Sequence, residues 1–253
     1  MTAPGKLFLV PAPLDFGCAA QAPLRDVLPE ATLVRASQLT HWVCENAKTA
    51  RAYLKRIHEL HPLAAPLQEQ QITELPREVH KKGDHGGTFD ARPLLAAAIA
   101  GNDIGLLSEA GMPAIADPGS SVARAAHDLG IDVISLVGPV SLVLALAASG
   151  LNGQNFAFVG YLPQDAAGRD KRIRELESLA RKGGQSQLFI ETPYRNLALW
   201  QALLQGLQQN TRLAVSSGLT LPQALNRSLP VKAWKQQPAP LDNDTPAVFL
   251  IGR

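Results

Sequence analysis

The residues with the clearest capacity for chemistry form a loop of small and rigid residues, SEAGMPAIADPG, at positions 108–119. The apolar run Ile104–Leu107 before it predicts a buried strand, and a helix is predicted near 119–129, ahead of a second strand at 132–137. This order of strand, loop, helix and strand is typical of a parallel sheet with a right-handed crossover. Ligands of such sheets bind beyond the carboxyl ends of the strands, and this loop leaves one of those ends.

The composition of the loop suits a polar ligand that is held by the backbone. Gly111 permits a positive φ, and Pro113 and Pro118 stiffen the chain that follows it. Exposed backbone amides and carbonyls could then bind a small polar molecule without large side chains. The alternative is that the loop is only a tight connection into a well-capped helix, and the residues alone leave both interpretations open. Candidates for that helix cap are Asp117, Ser120 and Ser121.

The composition is that of a soluble globular protein. The chain has 253 residues, of which 46% are hydrophobic and 18% charged, enough for one large or two modest domains. Its formal net charge of +2 is too small to predict nucleic-acid binding. Cys18 and Cys44 lack the spacing of a disulfide framework, which is typical of a reducing cytoplasm. No apolar run is long enough for a signal peptide or a membrane span, so we expect a cytoplasmic protein without membrane contact.

Several common catalytic and metal-binding patterns are absent from the sequence. It contains no phosphate-cradling glycine motif and no Gly-x-Ser-x-Gly nucleophile elbow. His80 and His85 flank Asp84 within a polar segment, 77–88, which is predicted to be a mobile loop. Their spacing matches no zinc pattern, so we interpret them as part of a solvated loop and predict no metal. Cys44 has no identifiable base nearby, which argues against a nucleophile.

The remaining elements predict a mixed α/β fold. Residues 31–36 (ATLVRA) are interpreted as a strand and residues 42–57 as an amphipathic helix. A helix at 141–150 is apolar on nearly every side and is predicted to be buried between layers. The helix at 168–182 is highly charged. Its interleaved charges favour a solvated face with paired side chains, and a stripe that binds an RNA backbone is the alternative.

Three further motifs extend the pattern of the loop. They are GPVSLVLALAASGL at 138–151, GYLP at 160–163 and FIETPYR at 189–195. Together with LLSEAGMPAIADPG at 106–119, these motifs resemble the tetrapyrrole methylase superfamily. The resemblance is closest to the branch that methylates a cytidine 2′-hydroxyl of small-subunit ribosomal RNA, and it covers most of the chain, though weakly before residue 100.

The resemblance implies two α/β domains, residues 1–137 and 138–253, with S-adenosylmethionine in the cleft between them. The first domain would supply the acceptor side and one cofactor loop, and the second would supply the rest of the cofactor side. The implied activity is that of a methyltransferase acting on RNA, and members of the superfamily tend to form homodimers. No side chain is identified as catalytic. The residues carried over by position as cofactor contacts are Ser108, Glu109, Ala110, Gly111, Met112, Pro113, Ala114, Ile115, Pro139, Val140, Ser141, Glu191, Thr192, Pro193 and Leu219.

Several segments depart from the pattern of the branch, among them two in the first fifty residues. The branch opens with V-G-T-P-I-G-N-L, whereas Val10–Gly17 reads VPAPLDFG. Its A-E-D-T-R aligns with Cys44–Lys48, where only Glu45 is unchanged. The cofactor side is thus kept and the acceptor side rewritten, which indicates a divergent paralogue. Two other functions therefore stay open: methyl transfer to a tetrapyrrole or another small molecule, and a degenerate cofactor-binding protein without enzymatic activity.

Overall fold

The computed structural model describes residues 3–82, 84 and 89–253, with the backbone alone for residues 80–82. The chain forms two compact units. The first contains the residues up to Phe16 together with Ala22–Val140, and the second contains Gly17–Gln21 together with Ser141–Arg253. The sequence predicts this division between residues 137 and 138. No sequence feature indicates that Gly17–Gln21 belongs to the second unit.

The first unit combines one sheet with short helices. Its strands are β1 (Leu7–Val10), β2 (His41–Cys44), β3 (Gln71–Glu74), β4 (Ile104–Leu107) and β5 (Val133–Ser135). Its helices are α1 (Leu24–Val27), α2 (Glu30–Gln38), α3 (Ala47–His58), α4 (Arg77–Lys82), α5 (Ala96–Ile99), which follows a 3₁₀ turn (Arg92–Leu95), and α6 (Ser120–Asp128). The predicted unit of strand, loop, helix and strand is therefore present as β4, α6 and β5.

All strands of the first sheet run parallel, in the order β3-β2-β4-β1-β5. The chain passes from β1 to β2 across β4, and from β4 to β5 across β1. These two connections run in opposite directions along the sheet. The space between the carboxyl ends of β1 and β4 is therefore a topological switch point, the place where open parallel sheets bind ligands.

Helix α2 corrects the interpretation of residues 31–36 as a strand. Pro29 directly precedes the helix, where the missing N–H of proline costs no helical hydrogen bond. The short run ATLV contains β-branched residues that favour a strand, but burial on one helical face outweighs that preference. The buried residues, which repeat at helical and not alternating spacing, are Thr32, Leu33, Ala36 and Ser37.

Helix α3 begins at Ala47 and not at Trp42, as the sequence had suggested. Asn46 Oδ1 accepts hydrogen bonds from the backbone N–H groups of Lys48 (2.9 Å) and Thr49 (3.3 Å), so Asn46 is the N-cap. The residues before it form β2, and the apolar pattern of a strand had merged with that of the helix.

The packing of β2 against β4 requires a glycine at position 105. Trp42 lies opposite Gly105 in the sheet and is only 1% exposed. Its Nε1 donates to Gln70 Oε1 (2.9 Å), which holds the indole in place. A Cβ atom on Gly105 would lie 2.5 Å from both Cε3 and Cζ3 of this indole. No side chain fits there without displacing a buried ring.

The second unit is built on a mixed sheet. Its strands are β6 (Phe156–Tyr161), β7 (Ser186–Ile190), β8 (Arg212–Ser217), β9 (Leu225–Pro230) and β10 (Ala247–Gly252), in the order β6-β7-β10-β8-β9. Strands β6 and β7 are parallel, and the other neighbours pair antiparallel. Its helices are α7 (Ser141–Ser149), α8 (Ala166–Gly183), α9 (Asn196–Gly206), which follows a 3₁₀ turn (Pro193–Arg195), and α10 (Val231–Trp234).

Aromatic side chains fill the core of the second unit. The rings of Phe189 and Phe249 stack with centroids 6.1 Å apart, and Trp200 meets Trp234 edge-on at 4.9 Å. The Nε1 of Trp234 donates to the carbonyl of Leu213 (2.8 Å), so the polar group of this buried indole is satisfied.

Helix α7 is half buried, contrary to the prediction that it lies between layers. It packs on β8, β9 and β10, and Leu142 and Leu146 on that side are buried. Val143 and Leu144 are 48% and 40% exposed, because a helix on one sheet face buries one side only. Among the helices that the structure describes, none combines the length and the apolar character needed to cross a membrane.

We expect Gly105→Ala to lower the free energy of unfolding by about 1–3 kcal/mol, because the new methyl group must displace the Trp42 ring. Urea unfolding followed by tryptophan fluorescence measures this change. Gly153→Ala is the control, since a Cβ at Gly153 would meet no atom within 4 Å. Equal stability of the two variants would contradict the packing argument.

Candidate functional site

Three loops leave the carboxyl edge of the parallel sheet in the first unit. They follow β1 (residues 11–17), β4 (residues 108–119) and β5 (residues 136–140). Because β4, β1 and β5 are neighbours and run in the same direction, these loops meet at one edge of the sheet. We call this region the three-loop edge.

The loops after β1 and β4 are joined by a reciprocal pair of backbone hydrogen bonds. The N–H of Ala12 donates to the carbonyl of Gly111 (2.8 Å), and the N–H of Gly111 donates to the carbonyl of Ala12 (3.0 Å). Gly111 has φ +74°, which confirms the positive φ expected from the sequence. Ser108 Oγ also donates to the Gly111 carbonyl (3.2 Å), so the turn is fixed from within its own loop as well.

The loop after β5 closes against the other two loops at a pair of glycines. A Cβ on Gly138 would lie 2.3 Å from Cγ of Pro11, so the proline ring rests directly on that glycine. A Cβ on Gly111 would lie 3.1 Å from Leu14 Cδ2 and 3.4 Å from the carbonyl oxygen of Pro139. The structure thus brings Gly111 close to Pro139, another of the predicted residues.

The loop after β4 keeps backbone donors available. No described residue accepts a hydrogen bond from the N–H groups of Ala110 and Met112. Farther along, Ala114 and Ala116 both have φ +65°, a left-handed conformation that is uncommon for residues other than glycine. Pro118 helps to hold this shape, because its carbonyl accepts from the Ala114 N–H (3.3 Å). The loop is therefore an ordered structure that leaves polar backbone groups free.

Three carboxyl groups, Glu45, Glu109 and Asp117, face one another at this edge, and we call them the carboxyl cluster. The backbone N–H of Glu109 donates to Glu45 Oε1 (3.2 Å), and the hydroxyl of Thr49 donates to Glu109 Oε1 (3.2 Å). Burial, followed by repulsion from Glu45 and then Glu109, raises the pKa of Asp117 to about 7. Asp117 therefore carries a proton at pH values where an ordinary aspartate has lost it.

Asp84 caps helix α6, which corrects the expectation that Asp117, Ser120 or Ser121 would do so. Its carboxylate accepts from the N–H groups of Gly119 (2.9 Å) and Ser121 (2.8 Å), and from the hydroxyls of Ser120 (2.8 Å) and Ser121 (2.6 Å). Burial by itself would raise the pKa of Asp84, but these hydrogen bonds outweigh it, so the pKa is lowered. Gly119, Ser120 and Ser121 at the start of α6 donate these hydrogen bonds, and Asp84, which is distant in the sequence, accepts them.

This role removes Asp84 from the metal alternative considered for the segment 77–88. His85 lies outside the described residues, and for His80 only the backbone is described. Within the described ranges, no group of three or more His, Cys, Asp or Glu side chains could hold a metal ion. Cys44 is buried in β2, and burial together with the charge of Glu74 raises the pKa of its thiol to about 12, which disfavours the reactive thiolate.

A buried ion pair fixes the far end of the loop after β1. Asp15 is 5% exposed and accepts two hydrogen bonds from Arg56, each 3.1 Å long, in the paired geometry of a guanidinium and a carboxylate. The N–H of Ala22 also donates to Asp15 Oδ2 (3.1 Å), and Arg56 Nη2 donates to the Ala22 carbonyl (2.7 Å). We call Asp15, Arg56 and Ala22 the α3 clamp.

The predicted cofactor residues of the second unit follow β7 and β8. Both strands run antiparallel to β10, which lies between them, so their carboxyl ends lie at the same edge of the second sheet. The segment Glu191–Pro193 leaves β7 there, and Leu219 follows β8. Ser141 is the first residue of α7. Leu219 lies between Gly218 (φ +61°) and Thr220 (φ +70°), a sharply turned backbone.

The carboxylate of Glu191 is used within its own loop. Its Oε1 accepts from the N–H of Thr192 (2.8 Å) and from Arg195 Nη2 (2.7 Å). The side chain is buried and fixes the backbone after β7. The Thr192 hydroxyl is also used within the loop, because it donates to Glu191 Oε1 (3.1 Å) and accepts from Arg195 Nε (3.1 Å).

Sequence reasoning missed the α3 clamp and Asp84. The partners lie far apart in the chain: Asp15 and Arg56 are 41 positions apart, and Asp84 and Gly119 are 35 positions apart. One signal was present for the clamp: Asp15 is a lone charge among prolines and apolar residues, a pattern that calls for a partner when the loop is buried.

Known proteins resemble this chain in sequence. A protein named ribosomal RNA small subunit methyltransferase I from Pseudomonas aeruginosa is 38% identical over 118 residues, which are 47% of this chain and 39% of that protein. A protein of the same name from Synechocystis is 36% identical over 154 residues, 61% of this chain and 53% of that protein. The chain thus spans about half the length of these relatives, or less. No protein-family model matches it.

The fold also has solved counterparts. The crystal structure of the methyltransferase CobJ is similar with a TM-score of 0.59 at 17% identity, covering 98% of this chain and 94% of that one. At this identity the likeness shows the fold, and the predicted α/β architecture with two sheets is confirmed. The chain is therefore a sequence relative of proteins named ribosomal RNA small subunit methyltransferase I, and its fold is similar to that of the methyltransferase CobJ.

Proposed function

We propose that this chain is an S-adenosylmethionine-dependent methyltransferase and that its acceptor is RNA, as in the 2′-O-methylation of ribosomal RNA. The observation that carries the proposal is the reciprocal hydrogen-bonded pair of Ala12 and Gly111. It fixes the loop after β4 at a topological switch point while the loop keeps free backbone donors. The named relatives support the choice of activity and of acceptor class.

The groups present at the three-loop edge fit a small polar cofactor. The N–H groups of Ala110 and Met112, from which no described residue accepts a hydrogen bond, are two donors in the loop after β4. The Leu14 side chain and the Pro139 carbonyl lie close to Gly111, so an apolar group and a backbone acceptor border the turn. The predicted contacts of the second unit, Ser141, Glu191, Thr192, Pro193 and Leu219, stay predictions from the sequence.

Methyl transfer requires the protein to orient the acceptor and the methyl group, and it requires few reactive side chains. S-adenosylmethionine, when bound, supplies a methyl group on a sulfonium that is already activated for transfer. The chain's task is to hold the acceptor oxygen in line and to exclude water, which a rigid loop edge does well. No catalytic side chain forms part of the proposal.

The first unit carries carboxylates at the three-loop edge, whereas the second unit carries exposed cations on α8. Carboxylates at the three-loop edge have the sign opposite to a sulfonium and would repel phosphates. An RNA acceptor needs cations elsewhere, and α8 in the second unit offers four exposed ones, Lys171, Arg174, Arg181 and Lys182. Arg172 is instead paired with Glu175 (3.2 Å), as the solvated-face interpretation of this helix predicts. Homodimer formation and a cytoplasmic location remain predictions from the sequence.

The decisive experiment supplies the protein with methyl-labelled S-adenosylmethionine and total RNA from a strain that lacks the gene. Label in 2′-O-methylcytidine of small-subunit ribosomal RNA is the expected result. Cofactor binding in calorimetry without label in any RNA would favour a tetrapyrrole or another small-molecule acceptor. Absence of cofactor binding would contradict the proposed activity and favour the degenerate alternative.

We expect Gly111→Val to weaken binding of S-adenosylmethionine by about tenfold or more, because a β-branched residue at positive φ carries about 1–3 kcal/mol of strain. Isothermal titration calorimetry measures the affinity. Gly130→Val is the matched control: Gly130 has φ +67° and open space around it, and it precedes β5 at the amino edge of the sheet. A folded Gly111→Val variant with unchanged affinity would remove this loop from the site.

We expect Asp117→Asn to stabilise the protein increasingly as the pH rises from about 4 to about 7. The folded-state pKa of Asp117 is raised to about 7 from an ordinary value of 3.8, so between these values the folded state binds the extra proton. The contribution of the Asp117 carboxyl to the free energy of unfolding therefore falls as the pH rises across this window, and it is constant above it. The amide side chain of the variant does not titrate, so its contribution does not change with pH. Urea unfolding at several pH values measures the difference, with the exposed Asp26→Asn as control. A difference that does not change with pH would refute the raised pKa.

A further inference from the structure

The α3 clamp holds both ends of a short excursion of the chain. Arg56 bonds to Asp15 before the excursion and to the Ala22 carbonyl after it, and the Ala22 N–H returns to Asp15. The Asp15 carboxylate is buried, so its hydrogen bonds come from Arg56 and the Ala22 N–H and not from bulk water.

The same helix also holds the beginning of the loop after β1. The hydroxyl of Tyr53, one helical turn before Arg56, donates to the carbonyl of Pro11 (2.8 Å). Tyr53 and Arg56 are three residues apart in α3 and therefore lie on one face of the helix. Between their two contact points lies Ala12, which pairs with Gly111. One helix face thus reaches the loop after β4 through the loop after β1.

The loop after β1 needs such side-chain contacts because it is poor in backbone donors. Pro11 and Pro13 have no N–H, and the N–H of Ala12 is already used by Gly111. Pro11, Ala12, Pro13 and Asp15 are nonetheless buried. Side chains from α3 therefore restrain this loop in addition to the backbone hydrogen bonds between Ala12 and Gly111.

We propose that Arg56 is a positioning residue for the three-loop edge: through Asp15 and the loop after β1, it fixes the backbone of Gly111 and so the affinity for a ligand bound there. The ligand part of this inference rests on the proposed function, since the probe is S-adenosylmethionine. Where the related branch has a glycine-bearing turn, this chain has Pro11 and Asp15. The rewritten segment is then an alternative, side-chain-based way to order the loop, which argues against the loss of its function.

The test compares three variants by residue-resolved hydrogen exchange without ligand, followed by calorimetry with S-adenosylmethionine. Arg56→Met removes the guanidinium. Asp15→Asn combined with Arg56→Met removes both charges and serves if the single variant fails to fold with its carboxylate unpaired. Arg51→Met, an exposed cation on the same helix, is the matched control.

We expect the amides of Ala12 and Gly111 to exchange about tenfold faster or more in the folded variants that lack Arg56, while the β4 amides keep their wild-type rates. Affinity for S-adenosylmethionine should fall by a similar factor, and Arg51→Met should change neither. A purely structural role would accelerate exchange across the whole sheet.

Two outcomes would overturn the inference. One is unchanged exchange at Gly111 in a folded variant without Arg56, and the other is accelerated exchange with unchanged cofactor affinity. If the wild-type protein does not bind S-adenosylmethionine at all, the proposed function fails. The exchange experiment, which needs no ligand, then still decides whether Arg56 positions Gly111.

Discussion

The candidate site depends on one constraint, the parallel pairing of β1 with β4 in the register that sets Val10 opposite Leu107. This register brings Ala12 and Gly111 into position to exchange hydrogen bonds just beyond the strand ends. Because β5 pairs with the other side of β1, its loop is carried to the same place, and Gly138 meets Pro11 there. A shift of either strand by one residue would separate these contacts and turn each side chain to the opposite face.

The three-loop edge of the first unit is the candidate ligand site, and it is ordered mainly by residues of neighbouring segments. Polar side chains from neighbouring segments order this edge. Asp84 caps α6, and Arg56 binds Asp15. Glu109 is held by hydrogen bonds with Glu45 and Thr49. Thr49 and Arg56 both lie on α3, so this helix orders two of the segments at the edge. In the loop after β4, the N–H groups of Ala110 and Met112 have no described acceptor. A few such polar groups at a concave site are what a polar cofactor would bind. The carboxyl cluster gives the edge a charge that depends on pH near neutrality through Asp117.

Local sequence patterns predicted the elements around the site well, because strand β4, helix α6 and the φ of Gly111 follow from apolar runs and glycine placement. They failed where two elements abut without a break. The strand pattern of β2 ran into helix α3, and the β-branched start of α2 resembled a strand. The supporting contacts could not be predicted, because Asp15 with Arg56 and Asp84 with Gly119 are joined only by the tertiary fold. Motif resemblance, in contrast, predicted the fold class and the relatives, since it draws on the order of several loops at once.

The contact between Pro11 and Gly138 links two positions that are distant in the sequence. A proline ring at position 11 leaves no space for a Cβ at position 138, whereas a glycine at position 11, as in the related branch, would remove that restriction. The two positions should therefore vary together among close relatives of this chain. In a chimaera that receives the loop after β1 of this protein but has another residue at position 138, the new side chain would clash with the Pro11 ring. The loop can therefore be transplanted only together with Gly138.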